Sequence, residues 1–146
     1  MLTGCEKTSE AESNCAPRVP DAYLLDSDVL IDISRNKPAA IDYVDTLPDP
    51  WMISQVTAMD LLVGARDKRE IAYLDQFLSS YPIVPLSASL GVRAYRLLMD
   101  YAKSHGLHVF DSLVAATALE QGLTLVTRNQ RHFAMIDKLI LHVPEY

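Results

Sequence analysis

The sequence predicts an α/β fold, a short parallel central sheet flanked by helices in three layers. Three observations point there. The strand-like runs Tyr23–Leu25, Met52–Ser54 and Thr124–Thr127 are short and lack polar alternation. That is how strands read when both faces of a sheet are covered. Helical patterns separate these runs, as parallel pairing requires. One of them, Phe110–Gln121, is apolar nearly all round through Leu113, Val114, Ala115, Ala116, Ala118 and Leu119. A helix of that kind belongs in the centre of a domain.

Taken in order, Tyr23–Leu25 forms the first strand, and Val29–Ser34 opens a helical pattern behind Asp28. Pro38 suits the first turn of a helix reaching about Thr46, because its missing N–H costs nothing there. "LPDP" (47–50) is a turn, and Met52–Ser54 is the second strand. "TAMDLLVGA" (57–65) starts a helix with Thr57 as N-cap and Asp60 at the capping-box position. Another helix runs from about Lys68 to Ser80. "YPIVPL" (81–86) holds a short edge strand between prolines. Ser87 caps a long amphipathic helix with Leu90, Ala94, Leu97, Leu98 and Tyr101 on one face, and Gly106 stops it. Gly122 ends the central helix, "TLVT" (124–127) is a buried strand, and "LILHV" (139–143) is the last one.

The chain has 146 residues, which suits one domain with one core. No apolar run is long enough to cross a bilayer, so a soluble protein is expected. Net charge is −6, against the basic surplus of a general nucleic-acid coat protein. Between Asp21 and Asp60 the only cations are Arg35 and Lys37, whereas acids and bases are mixed afterwards. Residues 1–20, polar and aperiodic, read as a disordered extension to a domain spanning 21–146. "LTGC" (2–5) has the form of a lipoprotein cleavage box but lacks the basic and apolar stretches that precede one. Cys5 and Cys15, the only cysteines, lie in this extension with no second pair to complete a zinc pattern. A domain without cysteine does not depend on disulfides, which fits a cytoplasmic protein.

In a parallel sheet the functional cleft lies at the carboxyl ends of the strands. Asp26, Ser27 and Asp28 follow the first strand, Asp60 lies in the helix after the second, and Asp111 stands at the start of the central helix. Arg128, Asn129 and His132 follow Thr127. Each acid also has a local explanation. Asp26 or Asp111 can cap a helix, and Asp60 can close the capping box. Gathered in one cleft, however, carboxylates repel and raise one another's pKa. A hard divalent cation such as Mg²⁺ or Mn²⁺ removes that penalty and takes oxygen ligands while keeping waters. It also suits phosphodiester hydrolysis. Asp32, one turn beyond Asp28, reads as surface. His105 and His108 read as loop residues, with His108 a candidate substrate contact. Arg128 and Arg131 are candidate phosphate contacts. Trp51 and Tyr95 suit a core or an interface better than base stacking.

"LLDSDVLID", "ISQVTAMDLLVGA", "HVFDSLVAATALEQGLTLVTRNQRHF" and the closing "LHVPEY" together resemble the PIN domain, and more narrowly the VapC-type ribonuclease toxins. The resemblance covers about Ala22 to Tyr146. It implies a PIN-like fold and a Mg²⁺-dependent endoribonuclease, with Mn²⁺ as an alternative ion. Asp26 and Asp111 match the metal-binding acids, and Asp60 matches the second motif acid. Thr127, Asn129 and His132 match the more variable fourth part of the site. Ser27, Asp28 and Arg128 would support the site or touch the RNA substrate. The resemblance further implies a homodimer and a VapB-type antitoxin that inserts a segment into the cleft. Two departures stand out. The second acid is Asp60 where the family usually has Glu, and Asn129 and His132 stand where a fourth acid is common.

Other readings fit less well. A haloacid-dehalogenase-type phosphatase also begins with a strand and D-x-D, but wants Thr or Val where this chain has Leu30. It also wants a later Lys and a late acid pair, which "TRNQRHF" lacks. A receiver domain would need a Lys after a late strand, where Arg128 stands. The remaining alternative is a PIN fold that binds RNA or protein without cutting.

Overall fold

The computed structural model describes residues 22–48 and 50–146. Residues 1–20, with Cys5 and Cys15, lie outside it. Twelve short elements follow one another: β1 (Tyr23–Leu25), α1 (Ser27–Ser34), α2 (Pro38–Asp45), β2 (Trp51–Ser54), α3 (Gln55–Val63), α4 (Lys68–Leu78), β3 (Ile83–Val84), α5 (Ala88–His105), α6 (Val109–Gln121), β4 (Thr124–Val126), a 3₁₀ turn (Gln130–His132) and β5 (Leu141–His142).

The strands form one sheet in the order β3-β2-β1-β4-β5, and every pairing is parallel. The chain therefore starts at the centre with β1, moves outward through β2 and β3, and then returns to add β4 and β5 on the other side. The order reverses between β1 and β4. Leu25 pairs with Val126 at the carboxyl end of both strands. Asp26 and Thr127 follow them directly, at the crevice where parallel sheets place their ligands.

Side-chain alternation along the strands builds the layers. Leu24 and Leu125 face a core made with Leu90, Ala94, Val114, Ala115, Ala118 and Phe133, under α5 and α6. Their neighbours Leu25 and Val126 face the opposite side, packed on Val29, Ile33, Ala40 and Val44 of α1 and α2. A third cluster joins Leu30 and Ile53 to Ala58 and Leu61 of α3 and to Leu74 and Leu78 of α4. The three-layer parallel α/β fold expected from the sequence is borne out.

Local signals set most boundaries. Ser87 Oγ accepts from the Leu90 N–H at 3.2 Å and starts α5. The left-handed backbone of Gly106 (φ 73°) ends it, and Gly122 (φ 66°) ends α6 in the same way. Pro38 opens α2 as its first residue. Three expectations fail. Helix α3 starts two residues before Thr57, with Ser54 as its cap through a 3.2 Å bond from the Val56 N–H. Thr57 is instead fully buried inside α3, and its hydroxyl has no partner among the described residues. Asp60 therefore closes no capping box. Helix α1 starts at Ser27 rather than behind Asp28, because Asp26 is its cap. The last strand is only Leu141–His142, since β4 offers it just two partners, Leu125 and Val126.

Candidate active site

Asp26 is where strand β1 becomes helix α1. Its N–H still bonds the Val126 carbonyl across the sheet at 3.0 Å. Its side chain already serves the helix, with Oδ1 accepting from the Ser27 N–H at 2.8 Å. The other oxygen, Oδ2, accepts the Thr127 hydroxyl at 2.8 Å. Capping and site duties are thus one arrangement, not alternatives. The residue is only 3% exposed. Burial is the main reason its pKa is raised from 3.8 to about 6, with Asp28 and then Asp111 adding to the rise against the two hydrogen bonds. A group that costs this much to ionise in place is one whose charge a cation would stabilise.

Asp28 organises the loop after β4. Its Oδ1 accepts from the Val29 N–H at 2.7 Å. Its Oδ2 accepts from the Arg128 N–H at 2.9 Å and from Asn129 Nδ2 at 3.4 Å. Burial raises its pKa, and the backbone hydrogen bonds hold the rise in check. Thr127 completes the weave. Its hydroxyl oxygen accepts from the Asn129 N–H at 3.0 Å while its proton goes to Asp26. The loop following β4 is therefore tied to the loop following β1 at several points.

Asp111 lies in the first turn of α6, with His108 as the helix cap, so it is not the cap itself. Burial raises its pKa. His132 and His108 pull it down, and Asp60 pushes it up. His132 Nδ1 stands 3.4 Å from Asp111 Oδ2. Asp60 is exposed on α3, and its carboxylate makes no hydrogen bond or ion pair to a described residue. The three acids from three distant segments thus lie near enough for Asp111 to feel both Asp26 and Asp60.

Two expectations change here. Asp32 is half-buried, and its carboxylate is engaged rather than free in solvent. Its Oδ2 accepts from Arg128 Nη1 at 3.1 Å and from the Tyr146 hydroxyl at 2.9 Å, and Lys37 Nζ lies 3.9 Å away. Arg128 is accordingly engaged by Asp32 and lies over the Tyr146 ring, 5.2 Å from its centre. Sequence spacing offered no sign of this, because its partners lie far along the chain. Trp51 packs against Tyr81 at 4.6 Å, as a core residue would. Tyr95 is not in the core; it is exposed on α5 beside Val92 and Met99.

Among the described residues no three His, Cys, Asp or Glu side chains close into a ready-made metal cage. A fully protein-ligated ion such as structural zinc does not fit. A hydrated ion does. Among the described residues each Asp26 oxygen carries one hydrogen bond, leaving lone pairs to spare. Asp111 supplies a second hard oxygen donor. Mg²⁺ is commonly held by one or two carboxylates and keeps several waters.

Fold and site together define a class: a parallel α/β protein with electrostatically coupled carboxylates at the strand-order reversal, suited to a hydrated divalent ion. Residues 23–139 match the family model described as PIN domain. The chain belongs to the PIN domain family, on its VapC branch. It is 38% identical over 121 residues to Ribonuclease VapC10 of Mycobacterium tuberculosis, covering 80% of this chain and 89% of that protein. It is 28% identical to the tRNA(fMet)-specific endonuclease VapC of Shigella flexneri, over 80% of this chain and 93% of that one. Among solved structures it is similar to a toxin–antitoxin complex from Klebsiella pneumoniae. That likeness has a TM-score of 0.68 and 28% identity over 81% of this chain and 95% of the other. The resemblance carried by the four sequence motifs is borne out.

Proposed function

We propose that this chain is a divalent-metal-dependent endoribonuclease, the toxin of a VapBC-type pair, with Mg²⁺ as its ion and Mn²⁺ able to replace it. The observation that carries the reading is Asp26. It is a buried carboxyl at the sheet's reversal point, hydrogen-bonded on both oxygens and pushed toward neutrality by burial, Asp28 and Asp111. Relatives named ribonucleases and a neighbour solved as a toxin–antitoxin complex support the same assignment.

In this reading Asp26 and Asp111 hold the ion. When bound, it supplies positive charge to a scissile phosphate and lowers the pKa of a coordinated water. The protein's own residues do the rest. The Ser27 N–H and the Thr127 hydroxyl fix the orientation of the Asp26 carboxylate. Asp28 and Asn129 hold the β4 loop beside it. Asp60 contributes charge across from Asp111, and His132 contacts the Asp111 carboxylate. Arg128 keeps the loop in shape through Asp32. The partners are an RNA substrate and a VapB-type antitoxin, and the working form is a cytoplasmic homodimer. The exposed stripe of Val92, Tyr95 and Met99 supports an interface. Among the described residues no helix is long and apolar enough to cross a membrane. The working domain is residues 21–146, with residues 1–20 dispensable for cleavage.

The test is cleavage of structured RNA by purified protein freed of antitoxin, with and without chelator. Cleavage should require the added metal. Asp26→Asn and Asp111→Asn should each reduce it to background while the circular dichroism spectrum stays native. Asp60→Asn should raise the metal concentration for half-maximal rate, and Asp60→Glu should restore or lower it. Because Ser54 and not Thr57 caps α3, neither Asp60 change should disturb folding. Chelator-resistant cleavage would defeat the metal assignment. RNA binding with no cleavage under any metal would instead favour a binding module.

A further inference from the structure

Beside Asp111 the surface opens into a cleft of about 260 Å³ lined by His105, His108, Arg131 and His132. Local chain geometry assembles it. Helix α5 ends at His105, Gly106 reverses the chain in its left-handed conformation, and His108 caps α6. The two histidines therefore face one opening. The 3₁₀ turn Gln130–His132 brings Arg131 and His132 to the opposite wall.

The groups there are poised rather than spent. His105 Nδ1 is 2.7 Å from Ser104 Oγ, and its ring stands edge-on to Tyr101 at 5.8 Å. Ser104 gives its proton to the Asp100 carbonyl, so the imidazole donates in that contact, which fixes the ring at the rim of the cleft. His132 directs Nδ1 at Asp111, which fixes its ring at the edge of the cleft. Arg131 makes no ion pair with any described residue, in contrast to Arg128, which is bound by Asp32. Among the described residues lining the cleft Asp111 is the one acid, although the chain as a whole carries a net charge of −6.

We propose that this cleft is the subsite for an RNA phosphate adjoining the cleaved bond, with Arg131 as its fixed cation and His108 as an N–H donor. The assignment rests on the ribonuclease reading and deepens it. The cleft shares Asp111 with the acidic site, so a polynucleotide held there continues directly into it. Arginine pairs with phosphate oxygens through two parallel N–H bonds, and neutral imidazole donates one. Such contacts are backbone contacts: they position the strand without reading its bases.

The experiment measures binding of a labelled single-stranded RNA by the cleavage-dead Asp26→Asn protein with Mg²⁺, across a salt series. Arg131→Ala should weaken binding about tenfold and reduce the slope of log K against log salt by about 0.7, the value for one phosphate contact on a single strand. His108→Ala should weaken binding severalfold. Arg131→Lys should keep the slope. Arg93→Ala, near the opposite end of α5 from His105, should change neither affinity nor slope. Unchanged affinity and slope in both Arg131→Ala and His108→Ala would overturn the subsite while leaving the nuclease intact. So would loss of affinity for a poly-glutamate peptide but not for RNA, which would assign the cleft to an acidic protein segment. Wild-type protein that neither binds nor cleaves RNA would remove the ribonuclease reading itself.

Discussion

On the β1–β4 side of the cleft, all four carboxylate oxygens of Asp26 and Asp28 accept hydrogen bonds, most of them from backbone N–H groups. On the α6 side, Asp111 has a single 3.4 Å contact with His132, and Arg131 has no partner among the described residues. The two walls of one site are thus built differently. The first is fixed in place before any ligand arrives. The second keeps donors and charge uncommitted. A metal site needs rigid donors at defined positions, whereas a strand of RNA arrives with variable shape and is met by groups that can adjust. On the proposed reading Asp26 of the fixed wall and Asp111 of the open wall share the ion, and the open wall also keeps Arg131 for the substrate.

The largest effect that would sharpen this comparison is on stability against pH. Asp26 titrates at about 6 in the folded protein against 3.8 ordinarily, so the folded state binds its proton more tightly. Its contribution to stability is fully present below about pH 4 and is lost as pH rises through about 6. At about 1.4 kcal/mol per pH unit this amounts to about 3 kcal/mol. The metal-free protein should therefore lose stability between pH 4 and 6, beyond what Asp26→Asn loses. Saturating Mg²⁺ at pH 7 should raise the melting temperature of wild type and not of Asp26→Asn. Parallel pH profiles for the two proteins would break the argument.

A smaller effect is expected from Thr127→Val. It keeps the volume but removes the donor to a buried carboxylate and the acceptor for the Asn129 N–H. The loss should be about 2 kcal/mol in urea unfolding at pH 7, with reduced cleavage. The smallest effect belongs to the open wall. His132→Gln should change unfolding free energy by no more than about 0.5 kcal/mol, as partly exposed pairs usually do. If His132→Gln destabilised the protein as much as Thr127→Val, the contrast between the walls would vanish.

Much of this was legible in the residues. Continuous apolar strands, glycine stops and the Ser87 cap read correctly because each is a local signal. Asp26 and Asp111 read from their positions after a strand and at a helix start, Thr127 entered through the family resemblance, and the structure sets the Thr127 hydroxyl against Asp26. What was misread was non-local or competing. Thr57 has good capping chemistry, but Ser54 at the end of β2 is closer to where the chain turns, and Thr57 is buried instead. Asp32 looks like one more exposed acid of α1 until Arg128 and Tyr146, brought in by β4 and the segment after β5, reach it. No pattern within ten residues of Asp32 marks those partners, since only the sheet order puts them together. The contrast between Arg128 and Arg131 is equally invisible in "TRNQR", where both read as free cations.

The Asp26–Thr127 hydrogen bond spans 101 residues of chain. The centre of the sheet is made first and completed last. At roughly 5–20 residues per second of synthesis, Asp26 waits about 5–20 s for its partner. During that interval β1 has no β4 beside it, the loop that orients the carboxylate does not exist, and α6 is itself still being made. On the proposed reading a nascent chain is therefore inert by topology alone. A nuclease of this design becomes dangerous only once nearly all of its domain has been translated, so an antitoxin need only meet the finished fold.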